Sequence, residues 1–413
     1  MSDARFRPGE SARGGEANPA YLRSWNFIMK TVMIVAGESS GELYGSLLAK
    51  ALKSRWPEVR LVGIGGERMR ESGVEILSGI SSSFGITELF LSIRRVRESF
   101  KKAAKSLTEI SPDVVVLIDY PDFNFRLAKI AKKHGMKVLY YVSPQVWAWR
   151  KGRVKTMGRI ADRVAAILPF EEKIYRQAGI PCEFVGHPIM EEIEQYEEGE
   201  QRSPASGGRS RKSRDRSENT TIALLPGSRP NELKNLLPVF ISLARMLKDK
   251  FGDWRFLIPL APNVDLERFR EYFAVLEKEG VEFRKGGATK TLASSDMAVI
   301  ASGTASLQAA LLGIPMVVVY KLSPITYFIG KAALKVTHIS LVNIISGRDV
   351  VPELIQHEAE AGNIMKECEK ILYDDTYRTS MISSFGEVRK AFSGKKPSLR
   401  VAEMVGEMAG WSD

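Results

Sequence analysis

The sequence predicts an α/β protein built from two open, doubly wound domains that face each other across a cleft. Three observations predict it. Short β-branched runs alternate with helical stretches, as at 114–119 and 124–134, and the alternation restarts after a polar break at 197–219. In each half, the least ordinary strings directly follow a strand, where open parallel sheets bind ligands. The 413 residues suit two domains, and 44% hydrophobic against 26% charged residues gives each half enough apolar material for a core.

Residues 1–28 are rich in Gly, Ser, Arg and Glu without a period and read as a disordered extension; Met29, just before a buried strand, is a candidate translation start. The first domain, 29–196, carries predicted strands at 31–36, 60–65, 114–119, 137–142 and 163–168. Helices are predicted at 42–55, 124–134 and 171–178. Residues 197–219 hold almost no large apolar side chain and read as a flexible basic linker or insertion. The second domain, 220–375, carries strands at 220–225, 255–260, 297–301 and 315–320 and helices at 233–251 and 363–373. Residues 376–413 form C-terminal helices, one at 398–408.

The net charge of +11 favours anionic partners, whether phosphorylated substrates, an acidic membrane surface or nucleic acid. Part of it is local: Arg202, Arg209, Arg211, Lys212, Arg214 and Arg216 stand in the linker against Asp215. That tract reads as solvated chain rather than a nucleic-acid site. Cys182 and Cys368 are too far apart in sequence to suggest a metal pair and too few for a disulfide framework, and the four histidines lack zinc spacing. No run of about 18 uncharged apolar residues predicts a membrane span. The nearest, 315–336, is broken by Lys321, Lys331 and Lys335. The expectation is a cytoplasmic protein without a signal peptide.

Five strings carry candidate chemistry. AGESSGELYG at 36–45 turns from strand to helix and can bring backbone N–H groups to a phosphate or sugar, with Glu38, Ser39 and Ser40 as candidate substrate contacts. It lacks the dinucleotide G-x-G-x-x-G, and the plain alternative is a tight turn with a serine cap. LIDYPDFNFRLAK at 117–129 puts Asp119 and Asp122 beyond an apolar strand, where a carboxylate can accept a proton from a substrate hydroxyl. Asp119 is favoured as base, Asp122 fits a helix cap or substrate contact, and Asn124 stands beside them. YVSPQVWAWRKGRVK at 141–155 offers Trp147 and Arg150 as a wall for a lipid-linked sugar, or as packing beneath a loop. LLPGSRPNEL at 224–233 sets Gly227, Ser228 and Arg229 before a helix, and a guanidinium fork suits a pyrophosphate. ASGTASLQAALLG at 301–313 opens a helix at Ser302, Gly303 and Thr304, with Gln308 one turn in; its free N–H groups suit a phosphate. Asn343 and Arg348 are polar residues in an apolar stretch, lining the cleft or bracing a loop. The stretch 81–100 sets Phe84, Ile86, Leu89, Phe90, Leu91 and Ile93 before Arg94, Arg95 and Arg97, which suits either an anionic lipid surface or a core with a basic edge. No D-x-D pair occurs, so a metal-bridged nucleotide site of that kind is not expected.

Taken in order, AGESSGE, GIGGERM, IDYPDFNFRLAK, YVSPQVWAWR, LPFE, FVGHP, LLPGSRPNE, ASGTASLQAALLG and NIISGRDVVPELIQ resemble the lipid-A-disaccharide synthase family over nearly all of 29–356. The resemblance implies a GT-B fold, two Rossmann-like domains across a cleft. It implies an inverting transfer from UDP-2,3-diacylglucosamine to 2,3-diacylglucosamine 1-phosphate, forming a β-1,6 linkage and releasing UDP. Neither a dissociable metal nor another cofactor is implied. It makes Asp119 the base, puts Arg229, Ser302, Gly303, Thr304, Asn343 and Arg348 on the nucleotide side, and adds His187 of FVGHP to the substrate contacts. A C-terminal helix crossing back to the first domain, a site at the inner-leaflet surface and a homodimer are further expectations. This chain departs in having Gln308 where such families usually carry Glu, Glu42 where Asp is more usual, and the basic linker. A UDP-sugar 2-epimerase of similar layout, or a non-catalytic binder of anionic ligands, are the other readings.

Overall fold

The computed structural model describes residues 29–79, 88–144, 152–201, 220–252, 254–260, 264–321 and 338–412. Two wholly parallel sheets organise them. The first runs β3-β2-β1-β4-β5-β6-β7, made of β1 Thr31–Ala36, β2 Arg60–Gly65, β3 Val74–Gly79, β4 Val114–Ile118, β5 Lys137–Tyr141, β6 Arg163–Ala166 and β7 Cys182–Phe184. The second runs β10-β9-β8-β11-β12-β13, made of β8 Thr221–Leu225, β9 Arg255–Pro259, β10 Val281–Arg284, β11 Met297–Ala301, β12 Met316–Tyr320 and β13 Glu353–Ile355. In both, the order reverses beside the first strand, so a crevice opens beyond β1 and β4 and another beyond β8 and β11.

The central strands form because their side chains have apolar cover on both faces. Every residue of β1, β4, β8 and β11 is buried. Each sheet is pinned at its opposite end by a carboxylate. Asp113 Oδ2 accepts the Thr31 N–H at 2.8 Å in the first domain, and Asp296 Oδ2 accepts the Thr221 N–H at 2.9 Å in the second.

Between strands run α1 Ser39–Arg55, α2 Glu67–Glu71, α3 Glu88–Ile110, α4 Pro121–Lys133, α5 Gly152–Ile160 and α6 Pro169–Gln177 in the first domain. The second carries α8 Pro230–Phe251, α9 Arg270–Lys278, α10 Gly287–Ala293, α11 Thr304–Leu311 and α12 Leu341–Ser346, and α13 Ala361–Tyr373 follows its last strand. Helix α1 begins three residues before the predicted 42, because the Glu38 carbonyl already accepts the Glu42 N–H at 2.8 Å. Strand β4 ends one residue before the predicted 119, since Asp119 turns left-handed. Strand β3 and helices α2 and α3 lie in the interval 66–113, where only the apolar-basic run at 81–100 had been singled out.

Three helices tie the halves together. Helix α7 Ile189–Gln201 leaves the first domain and packs on α10 and α11. Helix α14 Asp375–Phe392 packs on α11, α12 and α13 of the second domain, and Arg389 reaches back to the Glu197 carboxylate of α7 at 2.7 Å. Helix α15 Pro397–Ala409 then crosses to the first domain and lies on α1, β4 and β5. Its Arg400 pairs with Glu183 at 2.6 Å, and Trp411 packs edge-on against Trp56 at 5.1 Å. Among the described residues no helix is long and apolar enough to cross a membrane. Cys182 and Cys368 are both free and buried.

The docking of α15 depends on Gly406, where an added Cβ would lie 2.5 Å from the Trp56 ring. Gly406→Leu is expected to destabilise by about 1–3 kcal/mol, as overpacking does. It should also change the fluorescence of Trp56 and Trp411; a urea midpoint and emission spectrum equal to wild type would contradict this packing.

Candidate active site at the facing strand ends

The loops after β1, β4, β8 and β11 line one cleft of about 530 Å³. After β1, Gly37 leads to Glu38 and then to α1. Only glycine fits at 37, because a Cβ there would lie 2.3 Å from the Tyr120 ring. Ser39 opens α1, and Ser40 lines the cleft with Glu38.

After β4 the chain makes two successive left-handed residues, Asp119 at φ 48° and Tyr120 at φ 45°, before Pro121 starts α4. Each such non-glycine residue costs on the order of 1–3 kcal/mol, so the surroundings must hold it. They do so through the Asp119 backbone. Its carbonyl accepts Asn124 Nδ2 at 2.7 Å and Tyr140 Oη at 2.8 Å, and its N–H reaches the Tyr141 carbonyl at 3.2 Å. The turn leaves the Asp119 carboxyl on the cleft wall.

In the second domain, Gly227 turns at φ 95°, and Glu232 folds back to accept the N–H groups of Ser228 at 3.2 Å and Arg229 at 3.3 Å. This is a capping box with Pro230 in the first helical turn. Glu232, not Ser228, therefore caps α8. Those amides are occupied, and the anion-binding capacity of the loop rests on the Arg229 guanidinium. The start of α11 is different. Its N-cap residue is Gly303, and no side chain caps it, while the Ser302 hydroxyl donates to the Ile339 carbonyl at 2.8 Å. The first amides of α11 thus face the cleft with the positive end of the helix dipole. Gln308 lies one turn in, its Nε2 donating to the Thr289 hydroxyl. Burial raises the carboxyl of Glu192, which α7 brings from the first domain, and a hydrogen bond with the Thr289 side chain opposes this.

The two walls are linked by charge. Arg229 Nη2 donates to both Glu38 oxygens, at 3.0 and 2.8 Å. Desolvation, with the Glu38 charge second, pushes the Asp119 carboxyl up to about 6; Arg229 and the Tyr120 N–H oppose this. A carboxyl in that range suits proton acceptance near neutral pH.

Other candidates from the sequence lie elsewhere. Asp122 stands exposed on α4, 3.5 Å from Arg153. Asn124 is buried and braces the Asp119 turn rather than reaching the cleft. His187 is buried, accepts the Ile189 N–H through Nδ1 at 3.2 Å, and is pushed down to about 3 by burial. Asn343 is fully buried and satisfies Val350, Val351 and Glu353. Arg348 pairs with Glu387 at 2.8 Å on α14. Asn343 thus braces the loop at 350–351, while Arg348 bonds across to α14 side chains. Trp147 and Arg150 lie outside the described residues, as do Phe84 and Ile86. Tyr44, Arg68, Glu192, Glu232 and His338 line the cleft without having been singled out. Tyr44 and Arg68 lie within AGESSGELYG and GIGGERM without a signal of their own, while Glu232, three residues after Arg229, carried a capping-box signal. Among the described residues no cluster of three or more His, Cys, Asp or Glu is placed to hold a metal ion.

Comparison with known proteins places the chain in a family. The family model described as lipid-A-disaccharide synthetase matches residues 32–398. The lipid-A-disaccharide synthase of Syntrophus aciditrophicus is 41% identical over 362 residues, 87% of this chain and 93% of that protein. That of Geobacter sulfurreducens is 40% identical over 381 residues, covering 92% and 97%. Among solved structures, the UDP-GlcNAc 2-epimerase of Neisseria meningitidis bound to UDP-GlcNAc superposes with a TM-score of 0.60 at 11% identity, covering 91% and 98%. The calicheamicin glycosyltransferase CalG4 superposes at 0.57 and 14%, covering 92% and 98%. These last two likenesses show the shared two-domain fold.

The raised carboxyl of Asp119 has a stability consequence. Its folded value lies above the ordinary 3.8 of an aspartate, so the charged form is disfavoured in the fold and stability falls as pH rises from about 4 through 6. Asp119→Asn is therefore expected to be more stable than wild type at pH 8, by up to about 3 kcal/mol. The difference should vanish towards pH 4; denaturation midpoints across that range check it, and an equal gap at both ends would contradict the burial of charge.

Proposed function

The chain belongs to the lipid-A-disaccharide synthetase family, and from that premise we propose how its two walls divide the reaction. It is a glycosyltransferase that forms the lipid A disaccharide. The observation that carries the proposal is the opposition, in one cleft, of the Asp119 carboxyl from the first domain and the uncapped start of α11 with Arg229 from the second.

The donor is UDP-2,3-diacylglucosamine, its diphosphate held by the amides of Gly303–Ala305 and by the Arg229 fork. The acceptor is 2,3-diacylglucosamine 1-phosphate, which enters beside Glu38, Ser40 and Asp119. Asp119 takes the proton of the acceptor 6-hydroxyl as that oxygen bonds to the donor's anomeric carbon. The bond from that carbon to the diphosphate breaks on the opposite side, which inverts the centre and gives the β-1,6 linkage. UDP leaves with its charge stabilised by oriented donors that need little reorganisation. Arg229 pairs with Glu38 across the cleft, so the donor diphosphate competes with that carboxylate for the same guanidinium. Gln308 offers the ribose an uncharged partner. Both substrates carry acyl chains, so the enzyme works in the cytoplasm against the inner face of the inner membrane, where its basic surface suits anionic lipid.

The direct assay is UDP release with and without acceptor. Acceptor-dependent release with a disaccharide product supports the reading, and release without acceptor, or none, overturns it. Asp119→Ala should lower kcat by about 100- to 10,000-fold while UDP still binds. In wild type, kcat/KM should rise through an acid limb near pH 6. Glu38→Gln should move that limb to lower pH, because it removes a negative charge that raises Asp119; a limb that stays in place would remove Asp119 as its source.

A further inference from the structure

Tyr44 lies on the second turn of α1, inside the cleft and outside every role assigned so far. Its side chain is 2% exposed, and its hydroxyl makes no hydrogen bond of full geometry, leaning only on the Thr304 side chain at the start of α11. Of the buried side-chain hydroxyls in that condition among the described residues, it alone belongs to a residue lining the cleft. A buried hydroxyl so weakly partnered carries a desolvation penalty that a ligand can remove.

The surroundings define that ligand. The ring is fixed edge-on against His187 at 5.7 Å, and His187 is backed edge-on by Phe392 of α14 at 6.1 Å. So held, the Tyr44 side chain crosses from the first domain towards Thr304 at the start of α11, with Asp119 and Glu192 as its charged neighbours. Burial keeps the phenol protonated far above neutral pH. It is therefore a donor, and it stands beside helix amides that are also donors and that no side chain caps. Donors converging from both domains call for an anion. A position between the base and the α11 start is where the leaving oxygen of a sugar nucleotide would lie.

We propose that Tyr44 donates a hydrogen bond across the cleft to the β-phosphate of the bound nucleotide, completing the leaving-group site from the acceptor-side domain. This rests on the donor site proposed above. Tyr44 then binds best when the two domains hold the diphosphate between them, and His187 acts as a positioning residue by fixing the ring.

The test compares UDP with UMP, which lacks the β-phosphate, by calorimetry on the full chain and on Tyr44→Phe. The substitution keeps the ring and its packing, so the variant should melt at or above the wild-type temperature. UDP should bind about 10- to 100-fold more weakly to the variant, the range for a hydrogen bond to a charged group. UMP affinity should stay within about twofold, and kcat should fall with UDP affinity. Unchanged UDP affinity in Tyr44→Phe, while wild type prefers UDP to UMP, would overturn the role of Tyr44 and leave the donor site standing. Equal weakening for UDP and UMP would also overturn it, by tracing the effect to packing. If wild type binds no UDP, the donor site itself falls, and Tyr44 with it.

Discussion

The site depends on one backbone constraint, the left-handed turn at Asp119 and Tyr120. Strand β4 must end, turn and start α4 within three residues, and neither turning residue is a glycine. The strain persists because the turn is held on several sides. Asn124 and Tyr140 grip the Asp119 carbonyl, and the Tyr120 ring lies where any side chain on residue 37 would be. The same contacts that stabilise the turn leave the carboxyl on the cleft wall, so a small distortion of the buried brace would displace the proposed base. This gives Asn124 a purpose other than substrate contact. Asp119, five residues earlier, lines the cleft, and the Asn124 amide works beneath it.

Around that turn, the two domains contribute opposite electrostatics. The first supplies carboxylates: Asp119 and Glu38 near the β1 and β4 ends, and Glu192 on the connecting helix. The second supplies positive character, from Arg229 and from the α11 amides. Each half alone would be a poor site, since a buried carboxyl needs a compensating charge and exposed helix amides need an anion. Bringing them together lets Glu38 hold Arg229 while keeping the Asp119 carboxyl in a range useful near neutral pH. Helices α7, α14 and α15, with the Arg389–Glu197 and Arg400–Glu183 pairs, hold the halves in register.

Much of this was legible in the residues. The buried β-branched runs of β1, β4, β8 and β11 are continuous and uncharged, and each is followed by an irregular string, so both the parallel sheets and the location of the cleft follow from local pattern. Asp119, Arg229 and the 302–304 turn were visible for the same reason: they are polar residues at strand ends. Less visible were residues whose role comes from partners far away in sequence. Asn343 and Arg348 looked like polar exceptions in an apolar stretch. They are tied to Val350, Val351, Glu353 and Glu387, which makes them braces. Strand β3 was missed beyond β2, at the edge of its sheet, where half its residues are only partly covered and the apolar signal is weak.

By itself, the sequence determined the fold class, the family resemblance and the strand ends from which the site is built, because burial on both faces of a parallel strand and the turn that follows are written in consecutive residues. Only the tertiary structure decided which wall each group serves. It showed that Glu232 occupies the amides beside Arg229, that Glu38 reaches Arg229 from 191 positions away, and that Tyr44 brings a buried, weakly bonded hydroxyl to the cleft. These are facts about the distance between two separately folded sheets, and a chain's local pattern carries no information on that distance until helices such as α7 and α15 set it.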